Sequence, residues 1–358
     1  MRVKTIMLAT ALMAVATAAA STFVPADSRY IVYTGRVNFT NPKSPLMVYP
    51  GTMIRANFSG SEISMKAKPE SGYFMVGVDN MPMRKIYFGV GDSIINIASD
   101  LKGDRHSVTV MLAYEGYHFR PEFRGFLLAE GANVLSAPEL PKRKMEFIGN
   151  SITCGYGTEA SDGNAKYSDA TENHYYTYAV ITSRTLNAQH CVVARSGIGM
   201  YRNYNGKREG DTDIMPRWYD YTSLYDDSQQ WNHASYDADV ICIGLGTNDF
   251  STPNYDVQLY KANYEKFVTK LRRLHPKSKI VMLTGPMLTG EASRVHVAAV
   301  NDVYAALSAR GIKDIYRFDF STQTGNLGYG ANYHPSKAQH VKMANELIPF
   351  IRKITGWK

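Results

Sequence analysis

Short runs of alternating apolar and polar residues dominate the chain from residue 28 to about residue 138. Residues 53–58, 63–66 and 73–78 are such runs, and Gly, Asp, Asn or Pro residues separate them. No segment of this region repeats apolar residues at the 3.6-residue spacing of an amphipathic helix. The pattern predicts an all-β sandwich of the jelly-roll type over residues 21–138.

A proline-containing linker at residues 137–143 precedes a different pattern, in which short apolar runs alternate with helical periodicity. The predicted strands are 144–148, 190–194, 239–244, 279–284 and 315–320. The predicted helices are 174–186, 256–275, about 291–310 and a last one that starts after Pro335 and runs to about residue 354. Such alternation predicts right-handed βαβ crossovers and a five-stranded parallel sheet with helices on both faces, in the flavodoxin-like order 2-1-3-4-5. The second domain would span residues 139–358, with residues 201–235 as a long aromatic loop or insertion.

The N-terminus, residues 1–20, is typical of a secretory signal peptide. Arg2 and Lys4 precede an apolar run that ends in three alanines before Ser21. The run is short and rich in alanine, which favours removal over a membrane anchor. We therefore expect a mature protein that begins near Ser21, is secreted or periplasmic, and has no membrane partner after cleavage.

Composition excludes several other classes of function. The formal net charge is +8, but Lys and Arg are scattered, so nucleic acid is not an expected partner. Cys154, Cys191 and Cys242 are too few for a disulfide framework, and we expect buried free thiols at 191 and 242. No CxxC or HExxH spacing occurs, so neither a metal nor another cofactor is expected. A monomer is favoured, and the 25 tyrosines suit a carbohydrate surface.

Ser151 stands where the first predicted parallel strand turns into a short helix. Gly149 and Asn150 before it tolerate the backbone of a sharp turn. A serine at this position is exposed on a rigid support, with backbone N–H groups directed at one point. The same residues also fit a plain N-cap, so this stretch alone leaves both interpretations open.

Three further turns should meet Ser151 at the carboxyl edge of the sheet. Gly199 follows the second strand, Asn248 follows the third, and His334 follows the fifth, just before a helix. Backbone N–H groups and an Asn amide can donate to a developing oxyanion, and a histidine can act as general base for a serine. Each residue alone has an ordinary structural explanation, but the four together indicate a nucleophilic active site.

Four blocks, GNSIT, a glycine turn, GTND and HPS, resemble in this order those of the SGNH (GDSL-like) hydrolase superfamily. The leading β-sandwich together with GNSITCGYG, ENHYYTY, SGIGMYRNY and LGTNDF resembles carbohydrate esterase family 2, the two-domain acetyl xylan esterases. The resemblance covers nearly all of the mature chain. It implies that Ser151 is the nucleophile and His334 its base. Ser151, Gly199 and Asn248 would supply the oxyanion hole, with Gly197 as the competing glycine.

Two positions depart from the superfamily pattern. Asn150 replaces the usual Asp before the serine, and Ala331 occupies the place of the acid that normally lies three residues before the histidine. A Ser151–His334 dyad is therefore expected, with the Nδ1–H of His334 held by a backbone carbonyl. A carboxylate from elsewhere, such as Asp249, remains the alternative.

The resemblance implies a serine esterase that removes O-acetyl groups from xylan, glucomannan or their oligosaccharides, with a sugar O-6 as the expected position. Candidates to stack on sugar rings are Tyr201, Trp218, Tyr219, Trp231 and Tyr333. One alternative is the same machinery acting on another acyl substrate, a peptidoglycan or a lipid. The other is a catalytically weak carbohydrate-binding protein, for which the missing acid at Ala331 is the argument.

Overall fold

A computed structural model describes residues 21–358, and the predicted signal peptide, residues 1–20, lies outside the described residues. The main strands up to Leu128 pair antiparallel, and the large sheet of the second half is parallel. The predicted fold class, an all-β sandwich followed by an α/β domain, is confirmed. Residues 129–142 join the two parts with no helix and a single isolated bridge, and the predicted boundary falls within them.

Two facing antiparallel sheets form most of the N-terminal domain. Its strands are β1 (Thr22–Pro25), β2 (Val32–Thr34), β3 (Val37–Asn38), β4 (Leu46–Met47), β5 (Met53–Phe58), β6 (Ile63–Ala67), β7 (Gly72–Val78), β8 (Arg84–Phe88), β9 (Ile94–Ala98), β10 (His106–Leu112) and β11 (Phe123–Leu128). One sheet has the order β1-β11-β6-β9, the other has the order β2-β5-β10-β7-β8, and β3 and β4 pair in a separate two-stranded sheet. Alternate residues such as Phe74, Val76 and Phe126 point into a shared core, because successive side chains of a strand face opposite sides.

The C-terminal domain alternates strands and helices. Its strands are β12 (Arg143–Gly149), β13 (Ala188–Ala194), β14 (Tyr221–Ser223), β15 (Asp226–Gln230), β16 (Val240–Gly244), β17 (Lys279–Thr284) and β18 (Ile315–Asp319). Its helices are α1 (Ser151–Cys154), α2 (Tyr178–Thr185), α3 (Met215–Trp218), α4 (Thr247–Phe250), α5 (Val257–Leu274), α6 (Gly290–Ala309) and α7 (Lys337–Thr355).

The large sheet runs β13-β12-β16-β17-β18, which is the predicted order 2-1-3-4-5. Ile241 and Ile243 of β16 pack against the helices α5 and α6, whereas Val240 and Cys242 pack toward α2 and α7. A parallel sheet buried on both faces needs such continuous apolar strands. The three cysteines are buried free thiols, as expected for 191 and 242.

Two predicted segments differ from the structure. The helix expected at 174–186 begins only at Tyr178, because Thr177 is extended and its hydroxyl caps α2. A separate 3-10 turn, His174–Tyr176, precedes it. The segment 201–235 is not a plain loop, since it contains α3 and the hairpin β14–β15. None of the described helices combines the length and apolar character that crossing a membrane requires.

Arg36 of the sandwich is inserted into the C-terminal domain. Its side chain is fully buried and donates to the carbonyl oxygens of Tyr219 at 2.7 Å and Tyr221 at 2.8 Å. It also pairs with Glu146 of β12 at 3.4 Å. Removing one member of such a pair would leave a buried charge uncompensated, so the contact fixes the two domains against each other.

Candidate active site

Ser151 is the first residue of α1, directly after the turn that ends β12. The side chain of Asn150 caps this helix and accepts from the N–H of Ile152 at 3.1 Å. Position 149 must be glycine, because a Cβ there would lie 2.0 Å from Thr153 Oγ1. The tight turn therefore places Ser151 at the carboxyl edge of the sheet, where ligands of such folds bind.

His334 lies within hydrogen-bond distance of Ser151. Its Nε2 is 2.8 Å from the serine Oγ, and its Nδ1 is 3.0 Å from the carbonyl oxygen of Ala331 and 3.3 Å from that of Asn332. A carbonyl can only accept, so the proton belongs on Nδ1, and Nε2 is free to take the serine proton. Asn332 and Tyr333 both have positive φ, of 50° and 58°, and this unusual turn directs the carbonyls at the ring.

Asp249, the alternative partner for the histidine, is engaged elsewhere. Its buried carboxylate accepts from the N–H groups of Met200 at 3.0 Å, Tyr201 at 2.8 Å and Arg202 at 3.2 Å. Burial raises the pKa of Asp249 to about 6 against the opposing effect of these bonds. This carboxylate orders the segment after the glycine turn, and backbone carbonyls hold His334.

Burial governs the electrostatics of His334. Loss of hydration lowers the pKa of His334 to about 4, although the two carbonyls work in the opposite direction. Tyr156 covers one face of the imidazole at a centroid distance of 4.1 Å, and Tyr167 stacks on Tyr156 at 4.3 Å. The ring is therefore held neutral, which is the form a general base needs.

Three residues that line the cavity beside the serine have an N–H group free to donate. Among the described residues, the backbone N–H groups of Ser151 and Gly197 have no acceptor. Asn248 donates one amide hydrogen to the carbonyl of Ile198 at 2.8 Å, which leaves its second hydrogen for a ligand. All three residues line a cavity of about 370 Å³ that also contains His334.

The choice of Gly199 as an oxyanion donor is corrected by this geometry. Its N–H already donates to Asn203 Oδ1 at 3.1 Å, and the residue does not line the cavity. Gly199 is a packing glycine, because a Cβ there would lie 1.8 Å from the carbonyl oxygen of Arg202. Gly197, the competing choice, has φ of +78° and faces open space.

The expected aromatic platform is also corrected. Trp218 is only 6% exposed and donates to Asp213, while Tyr201 and Tyr219 are buried. Trp231 packs beside the guanidinium of Arg36 at 5.1 Å. None of these four rings lines the cavity.

Tyr333 alone among the candidates is well exposed, at 52%, but it does not line the cavity and donates to Asn164 Oδ1 at 2.6 Å. The aromatic side chains that do line the cavity are Tyr156 and Tyr204, the latter 57% exposed. Both lie in blocks that carried the family resemblance, GNSITCGYG and SGIGMYRNY, which was the available signal.

Glu115 is a site residue that the sequence did not indicate, because it comes from the sandwich domain. Its Oε1 accepts from the N–H of Ser196 at 2.7 Å, and its Oε2 accepts from the Ser196 hydroxyl. Ser196 directly precedes Gly197 and lines the cavity. Glu115 thus holds the turn that presents the Gly197 N–H, and the sandwich contributes to the geometry of the site.

Glu172 and Cys154 lie behind the same turn. Together with Glu115 they form the one group of the described residues whose possible metal-ligand atoms lie within 4.8 Å of one another. Both oxygens of Glu115 already accept hydrogen bonds from Ser196, so we interpret the group as a positioning network. Burial raises the pKa of Glu172 and of the Cys154 thiol well above their usual values, which favours their neutral forms.

A serine and a histidine at 2.8 Å, beside free N–H donors at the edge of an α/β sheet, form the arrangement of serine hydrolases. Residues 147–342 match the family of GDSL-like lipases and acylhydrolases, and residues 33–138 match the N-terminal domain of carbohydrate esterase 2. The chain therefore belongs to the GDSL-like hydrolases and, within them, to carbohydrate esterase family 2, a family of carboxylic ester hydrolases.

Known proteins resemble the chain over nearly its whole length. A family two carbohydrate esterase from Clostridium thermocellum, solved in complex with cellohexaose, has a TM-score of 0.86 at 33% identity and covers 92% of this chain and 100% of its own. An acetylxylan esterase / glucomannan deacetylase from Cellvibrio japonicus is 29% identical, over 93% of this chain and 91% of its own length. The cellulase/esterase CelE of Acetivibrio thermocellus is 35% identical over 92% of this chain, which spans 40% of CelE.

Proposed function

We propose that this protein is an esterase that removes O-acetyl groups from plant polysaccharides, xylan, glucomannan or their oligosaccharides, outside the cytoplasm. The observation that carries the proposal is the 2.8 Å contact between Ser151 Oγ and His334 Nε2. The relative from Cellvibrio japonicus is named for both xylan and glucomannan, which supports the substrate class. The signal-like residues 1–20 support the location.

In the proposed first step, Ser151 Oγ attacks the acetyl carbonyl carbon while His334 Nε2 takes the hydroxyl proton. The negative charge on the carbonyl oxygen is stabilised by the N–H groups of Ser151 and Gly197 and the amide of Asn248. The tetrahedral intermediate then expels the sugar oxygen, which receives the proton from His334. An acetyl-enzyme on Ser151 and a free sugar hydroxyl result.

In the second step, His334 takes a proton from water, and the resulting nucleophile attacks the acetyl carbonyl. Acetate leaves, and the proton returns to Ser151. The carbonyls of Ala331 and Asn332 orient the imidazole throughout. They carry only partial negative charges, so the imidazolium is stabilised less than it would be by a carboxylate, and a slower rate than that of a full triad is expected.

The cavity favours a sugar over a lipid chain. Its lining includes Ser196, Thr247 and Ser251 beside Tyr156 and Tyr204. A site for an acyl chain would have a predominantly apolar lining. A mixture of hydroxyl groups and aromatic faces is suited to a pyranose.

The test is acetate release from acetylated xylan and glucomannan by the native protein and by Ser151→Ala. Release by the native protein alone would support the proposal, and the ratio between the two polymers would rank them. Cleavage of a small activated acetate ester without release from either polymer would reject the substrate class but keep the mechanism. No turnover of any ester would reject the esterase and favour a carbohydrate-binding protein.

A further inference from the structure

A second concave site lies where the sandwich domain meets residues 168–170 of the hydrolase domain, and Ser151 does not line it. We call it the sandwich groove and define it by Tyr73, Tyr87, Tyr114, Phe119, Glu70 and Asp169. Its volume is about 250 Å³. The proposed mechanism uses none of these residues.

Four aromatic side chains line the groove, of which Tyr87 and Phe119 are open to solvent and Tyr114 is buried. Tyr87 is 52% and Phe119 44% exposed. Tyr73 stacks on Tyr87 at a centroid distance of 4.5 Å, and Tyr114 meets the edge of Tyr73 at 5.9 Å. Clustered exposed rings of this kind mark binding surfaces more often than isolated ones do.

The floor of the groove depends on a glycine. Gly72 has φ of +72°, and a Cβ at this position would lie 2.1 Å from the hydroxyl oxygen of Tyr114. The glycine therefore lets the Tyr114 ring lie close under the backbone of β7. The concave shape is thus set by the backbone rather than by a mobile side chain.

Two carboxylates lie at the groove without a cationic partner. In residues 21–358, neither Glu70 nor Asp169 forms an ion pair, and Asp169 accepts only from the hydroxyl of Tyr167, at 2.8 Å. Carboxylate oxygens of this kind accept well from hydroxyl groups. They would repel an acidic sugar. The polar part of the groove therefore fits a neutral polyol.

An organic cation is the competing ligand for aromatic rings beside carboxylates. The ammonium of Lys85 already lies 5.0 Å from the centre of the Tyr73 ring and is bound to Glu159 at 2.7 Å. That charge disfavours a second cation beside the same ring. A sugar ring, which is uncharged, does not meet this repulsion.

The groove adjoins the catalytic cavity through one wall of stacked rings. Asp169 of the groove accepts from Tyr167, Tyr167 stacks on Tyr156 at 4.3 Å, and Tyr156 stacks on His334 at 4.1 Å. Tyr167 therefore connects Asp169 of the groove with Tyr156 of the catalytic cavity. From this proximity we expect a polysaccharide whose acetylated unit lies at Ser151 to reach the groove with its neighbouring units.

We propose that the sandwich groove is a distal subsite for the backbone of a neutral polysaccharide, with pyranose faces on Tyr87 and Phe119 and sugar hydroxyls on Glu70 and Asp169. This inference rests on the proposed function of the catalytic cavity. Because the groove contacts units remote from the acetyl group, it strengthens the binding of long chains and leaves short ones unassisted.

The catalytic test compares kcat/KM for acetylated xylo- and manno-oligosaccharides of increasing length with kcat/KM for a small activated acetate ester. The ratio of kcat/KM for the longest chain to kcat/KM for the small ester should fall about three- to tenfold in Tyr87→Ala. This is the loss of affinity expected when one or two aromatic contacts are removed. Phe119→Ala should reproduce the fall. Tyr304→Ala is the matched control, because this tyrosine is 37% exposed on α6 and remote in the sequence from the groove.

A binding measurement keeps the inference separate from catalysis. Titration calorimetry of unacetylated xylohexaose, mannohexaose and cellohexaose with Ser151→Ala, with and without Tyr87→Ala, reports the groove even if no ester is cleaved. Weaker binding of at least one of the three in the double variant supports the subsite. The inference would be overturned by equal binding in both proteins, by no binding to either, or by an unchanged dependence of kcat/KM on chain length. It would also be overturned if Tyr87→Ala abolished the binding of tetramethylammonium while the sugars stayed bound.

Discussion

The pKa of His334 sets the lowest pH at which the proposed esterase keeps its general base. Burial lowers this pKa from 6.5 to about 4, so the imidazole is neutral throughout the mildly acidic range. At pH 5.5 about 97% of a base with a pKa of 4 is neutral, against about 9% of one with the ordinary pKa of 6.5. The expected kcat/KM is therefore nearly constant from pH 7.5 to 5.5, where an unperturbed histidine would lose about tenfold.

The assay is initial-rate hydrolysis of a small activated acetate ester, with Ser151→Ala subtracted as background. Fluorescence at each pH, and full recovery of activity on return to pH 7.5, would show that the fold is intact. This control matters, because His174, His296 and His340 are also buried with lowered pKa values, and their protonation at low pH destabilises the folded state. A tenfold loss of kcat/KM centred near pH 6.5 in the folded protein would refute the reasoning.

Tyr156 offers a matched pair of variants for the same assay. Its ring covers one face of His334, so Tyr156→Ala admits water, raises the pKa of His334 and moves the acid limb to higher pH. Tyr156→Phe keeps the ring and should keep the native profile. Identical profiles in the two variants would contradict the assignment of the shift to burial.

Three further changes test other parts of the site. Asn248→Ala removes one of the three N–H donors, and kcat should fall by about 10²–10³ with the melting temperature little changed; a change confined to KM would exclude the oxyanion role. Glu115→Gln loosens the Ser196 turn that carries Gly197, so kcat should fall about tenfold with KM nearly constant. An equal loss in Gly103→Ala, which changes another turn of the sandwich, would indicate a general effect. Glu172→Gln mimics the neutral acid that burial favours, and its melting temperature should exceed the native one by a margin that grows from pH 5 to pH 8; a margin independent of pH would contradict a raised pKa for Glu172.

Regular periodicity made most of the fold predictable. Strand 53–58 has the predicted bounds, and the sheet has the order 2-1-3-4-5 that is common in doubly wound folds. The prediction of one helix over 174–186 was wrong for a local reason. The side chains of Asn173 and Thr177 accept hydrogen bonds from backbone N–H groups, and this divides the segment into a 3-10 turn and the helix α2.

Site residues on the turns after strands could be placed from sequence, because parallel strands bring those turns to one edge. Ser151, Asn248 and His334 meet there. The choice between Gly197 and Gly199 could not be made, because it depends on which N–H is already bonded, here to Asn203. The predicted sugar contacts in segment 201–235 were wrong for a different reason. Apolar residues have no regular spacing in this segment, so the sequence does not distinguish a core ring such as that of Trp218 from an exposed one.

Contacts between the two domains could not be predicted from the sequence. Glu115 and Ser196 lie 81 residues apart, and no local pattern joins them. The same holds for the pair of Arg36 and Glu146. Both contacts connect the sandwich to the hydrolase domain, so the two domains are best studied together.

The most direct measurement of the central claim is the trapping of the acetyl-enzyme. The native protein, mixed with an activated acetate ester and quenched in acid within the first turnover, is digested and its peptides are analysed by mass spectrometry. The account predicts one acetyl group on Ser151, absent from Ser151→Ala. Sustained turnover by the native protein without any acetylated peptide would contradict it. So would acetylation of another residue, if that acetylation and the activity both persist in Ser151→Ala.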